Sequence, residues 1–289
     1  MEERKELEQL DVGKAEKVEA DTHTPSTLHP DTLFNFMDKV EYLVEILENK
    51  SIPARYCDED ISYLGIDAIK KVAIPMRCFC DIKLHELEEH VEFYGKCGIA
   101  FSKKWGMKNG IQPLHYINPN SKLKMDFSEA FNSAIVQVDE ETTDLQNQLT
   151  DFMLHELMYY KPDSGLIEKR YSKDSPEKQG GVKYVEKCFT DECEWRFIAE
   201  VKSIGYEPII FGEEASNKDY RNTLSASLKI HPDIALQFDY SEIKYLIVED
   251  NSDYERLLEA ILNLDDLDNV EKNKLISKVI IWNESKGDF

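Results

Sequence analysis

The chain has 289 residues, is 42% hydrophobic, and carries 57 Asp plus Glu against 35 Lys plus Arg, a formal net charge of −22. That length and apolar content support a buried core and exclude a wholly disordered chain. No apolar run approaches the roughly 18 residues of a membrane-spanning helix. The acidity excludes broad nucleic-acid binding, which rests on cationic neutralisation of phosphates, and suits high solubility or a basic protein partner.

Residues 1–30 read as a polar N-terminal arm ending in THTPSTLHPDT, with no apolar signal core, which predicts a cytoplasmic protein. Leu33 and Phe34 then predict a short strand. A helix follows over Val40, Leu43, Val44 and Leu47, closed by Asn49-Lys50, and IPARY reads as a strand. VAIPMRCFCD, residues 72–81, is an apolar run of strand length. KLHELEEHVEFYG is a short helix with Leu84, Leu87 and Val91 facing inward, Asp81 placed to cap it and Gly95 ending it. CGIAFSKKWG reads as a strand or turn-strand, and QPLHYIN as a further strand.

The middle is helical to about residue 160, with Leu145, Leu149, Phe152 and Met153 marking a buried stripe. Residues 161–185 hold dense turn and charge signals and read as an exposed excursion. FTDECEWRFIAEV, EPIIF, EIKYLIV and VIIW are strands, with DYERLLEAILNL and VEKNKLISK as helices between the last two. Short strands with inserted helices, lacking regular β–α–β alternation, predict an α+β fold. The expected core is a mixed, largely antiparallel sheet in a single domain over 31–289, with a helical insertion near 126–160.

Six cysteines read as free thiols. Cys78, Cys80, His85 and His90 make a zinc set on paper, but the two cysteines alternate along a strand and no metal site is expected. HELMY lacks the second histidine of a zinc-protease helix, because Tyr159 stands there. Phosphate loops and serine-nucleophile motifs are missing as well.

Three segments in order, LFNFMDKVEYLVEILENKSIPARYC, AIPMRCFCDIKLHELEEHVEFYGKCGIAFSKKWGMKNGIQPLHYIN and DECEWRF, resemble the AbiGi family of bacterial abortive-infection, phage-resistance proteins. The resemblance covers most of residues 32–120, the segment around 191–197 and, more loosely, the IKYLIV ending. It implies an antitoxin-like role in a two-gene system and a protein partner, either a cognate toxin or a phage component.

The layout is also similar to ADP-ribosyltransferase-like folds. That likeness implies an NAD-consuming transferase or glycohydrolase, with NAD as cofactor and Glu194 as the carboxylate that stabilises an oxocarbenium-like centre. The chain departs from that pattern on the first strand, where Asn35-Phe36-Met37 stands in place of a His-Phe-Thr-like triplet. Asn35 retains hydrogen-bonding capacity but no imidazole.

Glu194 and Arg196 lie two apart on a strand and face one way, as a carboxylate with a ligand clamp or as a structural ion pair. Arg55 offers a fork for a pyrophosphate or carboxylate, or a partner for Asp58 or Glu59, and Tyr56 lies beside it. Gly95 and Gly98 bring the next strand close to a cleft that Tyr94, Ser102 and Lys103 would line and Trp105 would close. The same segment also works as a helix–turn–strand packing unit with no ligand. The candidate ligand-binding set is therefore Asn35, Arg55, Tyr56, Tyr94, Ser102 and Arg196, with Glu194 at its centre. An interaction protein and an NAD-consuming enzyme both remain open at this point.

Overall fold

The computed structural model describes residues 25–66, 69–136, 143–168 and 184–288. In chain order its first elements are β1 (Thr32–Met37), α1 (Val40–Asn49), β2 (Ser51–Ile52), β3 (Arg55–Asp60), β4 (Lys71–Cys80), α2 (Glu88–Tyr94), β5 (Cys97–Ser102) and α3 (Lys103–Lys108). The middle holds β6 (Gln112–Pro113), β7 (His115–Ile117), α4 (Lys122–Val136), α5 (Asp144–Met158), β8 (Tyr160–Pro162), β9 (Ser164–Glu168), β10 (Tyr184–Cys188) and β11 (Glu194–Ile198). The last third adds β12 (Ile210–Phe211), α6 (Gly212–Ser216), α7 (Lys218–Leu228), β13 (Leu236–Gln237), β14 (Ile243–Val248), α8 (Asn251–Leu262), α9 (Asn269–Ile276), β15 (Val279–Ile281) and α10 (Trp282–Ser285).

The main sheet has nine strands, ordered β15-β14-β5-β1-β4-β11-β6, with β3 and β12 also paired to β4. Its pairings are antiparallel except β14 with β15, which are parallel and joined through α8 and α9. The fold is α+β with a largely antiparallel sheet, as the short mixed strands predict.

Side-chain alternation along β4 explains the layering. Phe79 belongs to a core that packs α1, α3, α8 and α9 on one face, and Ala73 to a neighbouring cluster under α6 and α7. Val72, Ile74 and Met76 point the other way, onto α4 and α5, while Cys80 packs with Phe34, Phe36, Val91 and Trp282. The second face therefore carries two apolar clusters, one at each end of β4.

Local chemistry sets the helix ends. α1 buries Val40, Leu43, Ile46 and Leu47 at three- and four-residue spacing and stops at Lys50, which is left-handed and donates to the Ile46 and Leu47 carbonyls. A capping box between Thr143 and Gln146 starts α5, and another between Asp268 and Glu271 starts α9. Gly95 ends α2 at φ 111°, where a Cβ would overlap the Met37 carbonyl.

The structure corrects four expectations. Lys103–Lys108 is a helix rather than the end of a strand, because the Ser102 hydroxyl accepts from the Trp105 N–H and turns the chain. Asp81 caps nothing: a single 3-10 turn precedes α2, and the Asp81 carboxylate instead meets Lys103 Nζ at 2.6 Å. Of the expected stripe only Met153 is buried: Leu145, Leu149 and Phe152 are exposed, and α5 buries Leu157 and Met158 beside Met153. The 161–185 excursion contains ordered pieces, β8 and the β9–β10 hairpin, with residues 169–183 outside the described residues. The arm call on residues 1–30 falls mostly on residues 1–24, also outside them.

Candidate functional site

β11 follows a turn that brings two carboxylates together. Phe189–Glu192 forms a 3-10 turn, Cys193 takes left-handed dihedrals (φ 42°, ψ 49°), and Glu194 opens the strand. Across from them, β7 and β8 pair in parallel with Tyr116 beside Lys161. Lys161 Nζ thereby reaches Glu192 Oε2 at 2.6 Å and Glu194 Oε2 at 2.7 Å. The Tyr116 hydroxyl accepts from the Glu194 N–H at 2.8 Å.

The ion pairs continue in both directions. Arg196, fully buried, donates from Nε to Glu194 Oε1 at 2.7 Å and from Nη1 to the Met158 carbonyl at 2.8 Å. Its Nη2 lies 3.0 Å from Glu59 Oε1. At the other end Lys187 Nζ lies 2.9 Å from Glu192 Oε1 and over the rings of Phe93 and Tyr94, and the Tyr94 hydroxyl donates to the same carboxylate. The chain Lys187–Glu192–Lys161–Glu194–Arg196–Glu59 thus alternates three cations with three carboxylates. It crosses the sheet face between the two apolar clusters.

Burial opposes every one of these charges, and geometry decides which keep them. Desolvation would raise the Glu194 carboxyl, but the Arg196 guanidinium and the Lys161 ammonium outweigh it and hold it well below the usual carboxylate range. Glu192 is lowered in the same way, burial being overcome chiefly by Lys161. Lys161 is raised despite its burial because Glu194 and Glu192 face it. At the end of the chain, burial pushes Glu59 up despite Arg196. His90, tilted against Phe36 and Tyr94, is driven down to about 4 by burial, with Glu192 opposing.

The candidate residues divide. Glu194, Arg196 and Tyr94 come together in this network. Asn35 does not: Phe34 registers with Cys80 and Cys80 with Glu194, so Asn35 faces the opposite side of the sheet from Glu194. Its amide donates to the Cys78 carbonyl at 2.8 Å. Tyr56 is buried under α7, its hydroxyl donating to the Glu207 carbonyl at 2.6 Å, whereas Arg55 is exposed at the start of β3. Ser102 is occupied as the α3 cap.

Sequence reasoning missed Lys161, Lys187, Glu59 and Tyr116 as members. The signal for Lys161 was the strand-like Tyr160–Pro162 directly after a long helix, submerged in the surrounding charge and turn residues. Two adjoining clefts of about 380 and 240 Å3 open beside the network, sharing His29, Asp81, Thr190 and Cys193 in their walls.

The model of the family described as "abortive phage resistance protein AbiGi, antitoxin" matches residues 50–249, more than half of the chain and all six residues of the ion chain. The chain belongs to the AbiGi family. It is 32% identical over 259 residues to the abortive phage resistance protein AbiGi of Lactococcus lactis subsp. cremoris, covering 81% of this chain and 98% of that relative. No solved structure matches, so the likeness to ADP-ribosyltransferase folds rests on sequence layout alone. Among the described residues, no helix is long and apolar enough to cross a membrane.

Proposed function

We propose that this AbiGi-family member is the antitoxin-side component of an abortive-infection pair and acts by binding a protein partner, a cognate toxin or a phage component, rather than by turning over a small molecule. The observation that carries this reading is the occupation of Glu194. Lys161 takes one carboxylate oxygen and Arg196 the other, so neither is left to face a developing positive centre. Asn35, the first-strand residue an NAD site would use, lies behind the sheet. The net charge of −22 suits a partner with a basic surface and gives association a long-range electrostatic component.

Co-expression with the product of the adjacent gene tests the reading. The two should co-purify as a stoichiometric complex that weakens with added salt, and the partner's toxicity should fall when this protein is present. A parallel incubation with NAD should release no nicotinamide. Release by the wild-type protein would overturn the binding reading in favour of a transferase or glycohydrolase. Glu194→Gln is compared only alongside its melting curve, since unpairing a buried ion costs about 3–5 kcal/mol in stability.

A further inference from the structure

α5 turns Met153 and Leu157 toward the sheet and carries a second apolar stripe outward. Leu145, Leu149 and Phe152 are 74%, 49% and 56% exposed. Their spacing of four and then three residues stacks them on one helix face, the pattern by which one helix packs along another. Large apolar side chains aligned in water carry a free-energy cost that a covering surface recovers.

The charge beside this stripe decides what covers it. The chain carries 57 Asp plus Glu and a net charge of −22, yet between Leu145 and Phe152 the exposed polar residues are Asn147, Gln148 and Asp151. Asp151 lies 3.0 Å from Lys202 Nζ, so its charge is answered within the molecule. A basic partner is drawn to acids left unanswered, and this stretch offers none. Two copies of an acidic protein repel each other over most of their surface, and a face without free charge is where they approach most easily.

We infer that two copies of this chain meet through this face, α5 against α5, antiparallel about a two-fold axis beside Leu149. The spacing is self-complementary in that arrangement: Leu149 meets its own counterpart, and Leu145 of each copy meets Phe152 of the other. The uncharged Asn147 and Gln148 then lie nearest the axis, where a charge would face its own like. Asp144 of each copy comes to the end of the other helix that carries the exposed His155, and the helix dipoles oppose each other. So small an interface belongs to the weak, transient class, so dilute protein is monomeric and the stripe adds nothing to the monomer's fold. The inference stands beside the antitoxin reading and does not depend on it.

The test is sedimentation equilibrium of the full-length protein from about 1 µM to about 1 mM, the span over which weak association turns on. Wild type is expected to pass from monomer to dimer and to stop there, because a two-fold contact closes on itself. Added salt should strengthen the dimer by screening the repulsion between two acidic copies, the opposite of its effect on a complex with a basic partner. Leu149→Glu should weaken association by about tenfold or more, since two like charges then face each other across the axis. Val270→Glu, at a residue of α9 that is equally solvent-exposed, adds the same charge elsewhere and should associate as wild type does. Leu145→Lys and Phe152→Glu should each associate poorly alone, whereas their mixture should regain a dimer in which Lys and Glu meet.

A protein that stays monomeric at every concentration overturns the inference and leaves the antitoxin reading intact. Equal association of Leu149→Glu and Val270→Glu overturns it too, because the contact would then lie elsewhere on the molecule. A mixture of Leu145→Lys and Phe152→Glu that associates no better than either alone overturns the antiparallel pairing. Melting curves of the variants at low concentration, matching wild type, confirm that each loss of association is a loss of contact and not of fold.

Discussion

Cys193 holds left-handed dihedrals without being glycine, a conformation that costs about 1–2 kcal/mol for an ordinary side chain. The turn it makes lets Glu192 and Glu194 converge on Lys161. The same neighbourhood keeps His90 neutral, and the sign of its effect on stability follows. Its imidazole is held down to about 4 against an ordinary value of about 6.5, so between those values the unfolded chain binds a proton that the folded chain refuses. Stability falls as the medium is acidified through that window, by at most about 3 kcal/mol. Glu192 and Glu194 add to the loss lower down, because a carboxyl depressed in the folded state contributes fully above its unfolded value and loses that contribution below it. Urea unfolding of wild type and His90→Phe at pH 7 and pH 4.5 checks this. The variant should lose less stability on acidification, and equal losses would remove His90 from the account. Of this arrangement the sequence displayed Glu192, Glu194 and Arg196 as a dense acid–base cluster. It could not display Lys161 or Glu59, which arrive from strands distant along the chain.

α5 shows how periodicity misleads when a helix has two apolar stripes. Leu145, Leu149 and Phe152 follow helical spacing as well as Met153 and Leu157 do, yet the first three are 74%, 49% and 56% exposed. The stripe that is buried is the one that meets Phe127, Phe131 and Tyr160. Single replacements Leu145→Ser, Leu149→Ser and Phe152→Ser should therefore each shift stability by no more than about 0.5 kcal/mol, whereas Leu157→Ala should cost about 2–5 kcal/mol. Thermal melts of the four variants decide it. A large loss from Leu149→Ser would mean that the exposed stripe is packed in solution. α7 was not legible at all, since KDYRNTLSASL buries only Ser225 and Leu228 and shows no strong apolar rhythm. The strands β4, β5, β14 and β15 were legible because their apolar runs are short, rich in branched residues and bounded by polar turns.

At the scale of the whole molecule the two faces of the sheet differ in kind. One carries an apolar core running from α1 across to α8 and α9, joining β1, β5 and β14 to the helices above them. The other carries two apolar clusters with the ion chain between them. Charged seams of this sort hold a geometry without adding much net stability, because desolvation offsets most of their attraction. Cooperativity is then unevenly distributed. The α4–α5 pair, packed over one cluster only and bounded by that seam, is expected to open locally while the rest of the sheet stays closed. Native-state hydrogen exchange should find its amides opening at a lower free energy than those of β1, β4 and β5, with a smaller dependence on denaturant. If all of these amides exchange through a single global event, the seam does not divide the molecule. If they separate, this protein carries a part that detaches before the whole unfolds, so that a protease would find its first foothold there.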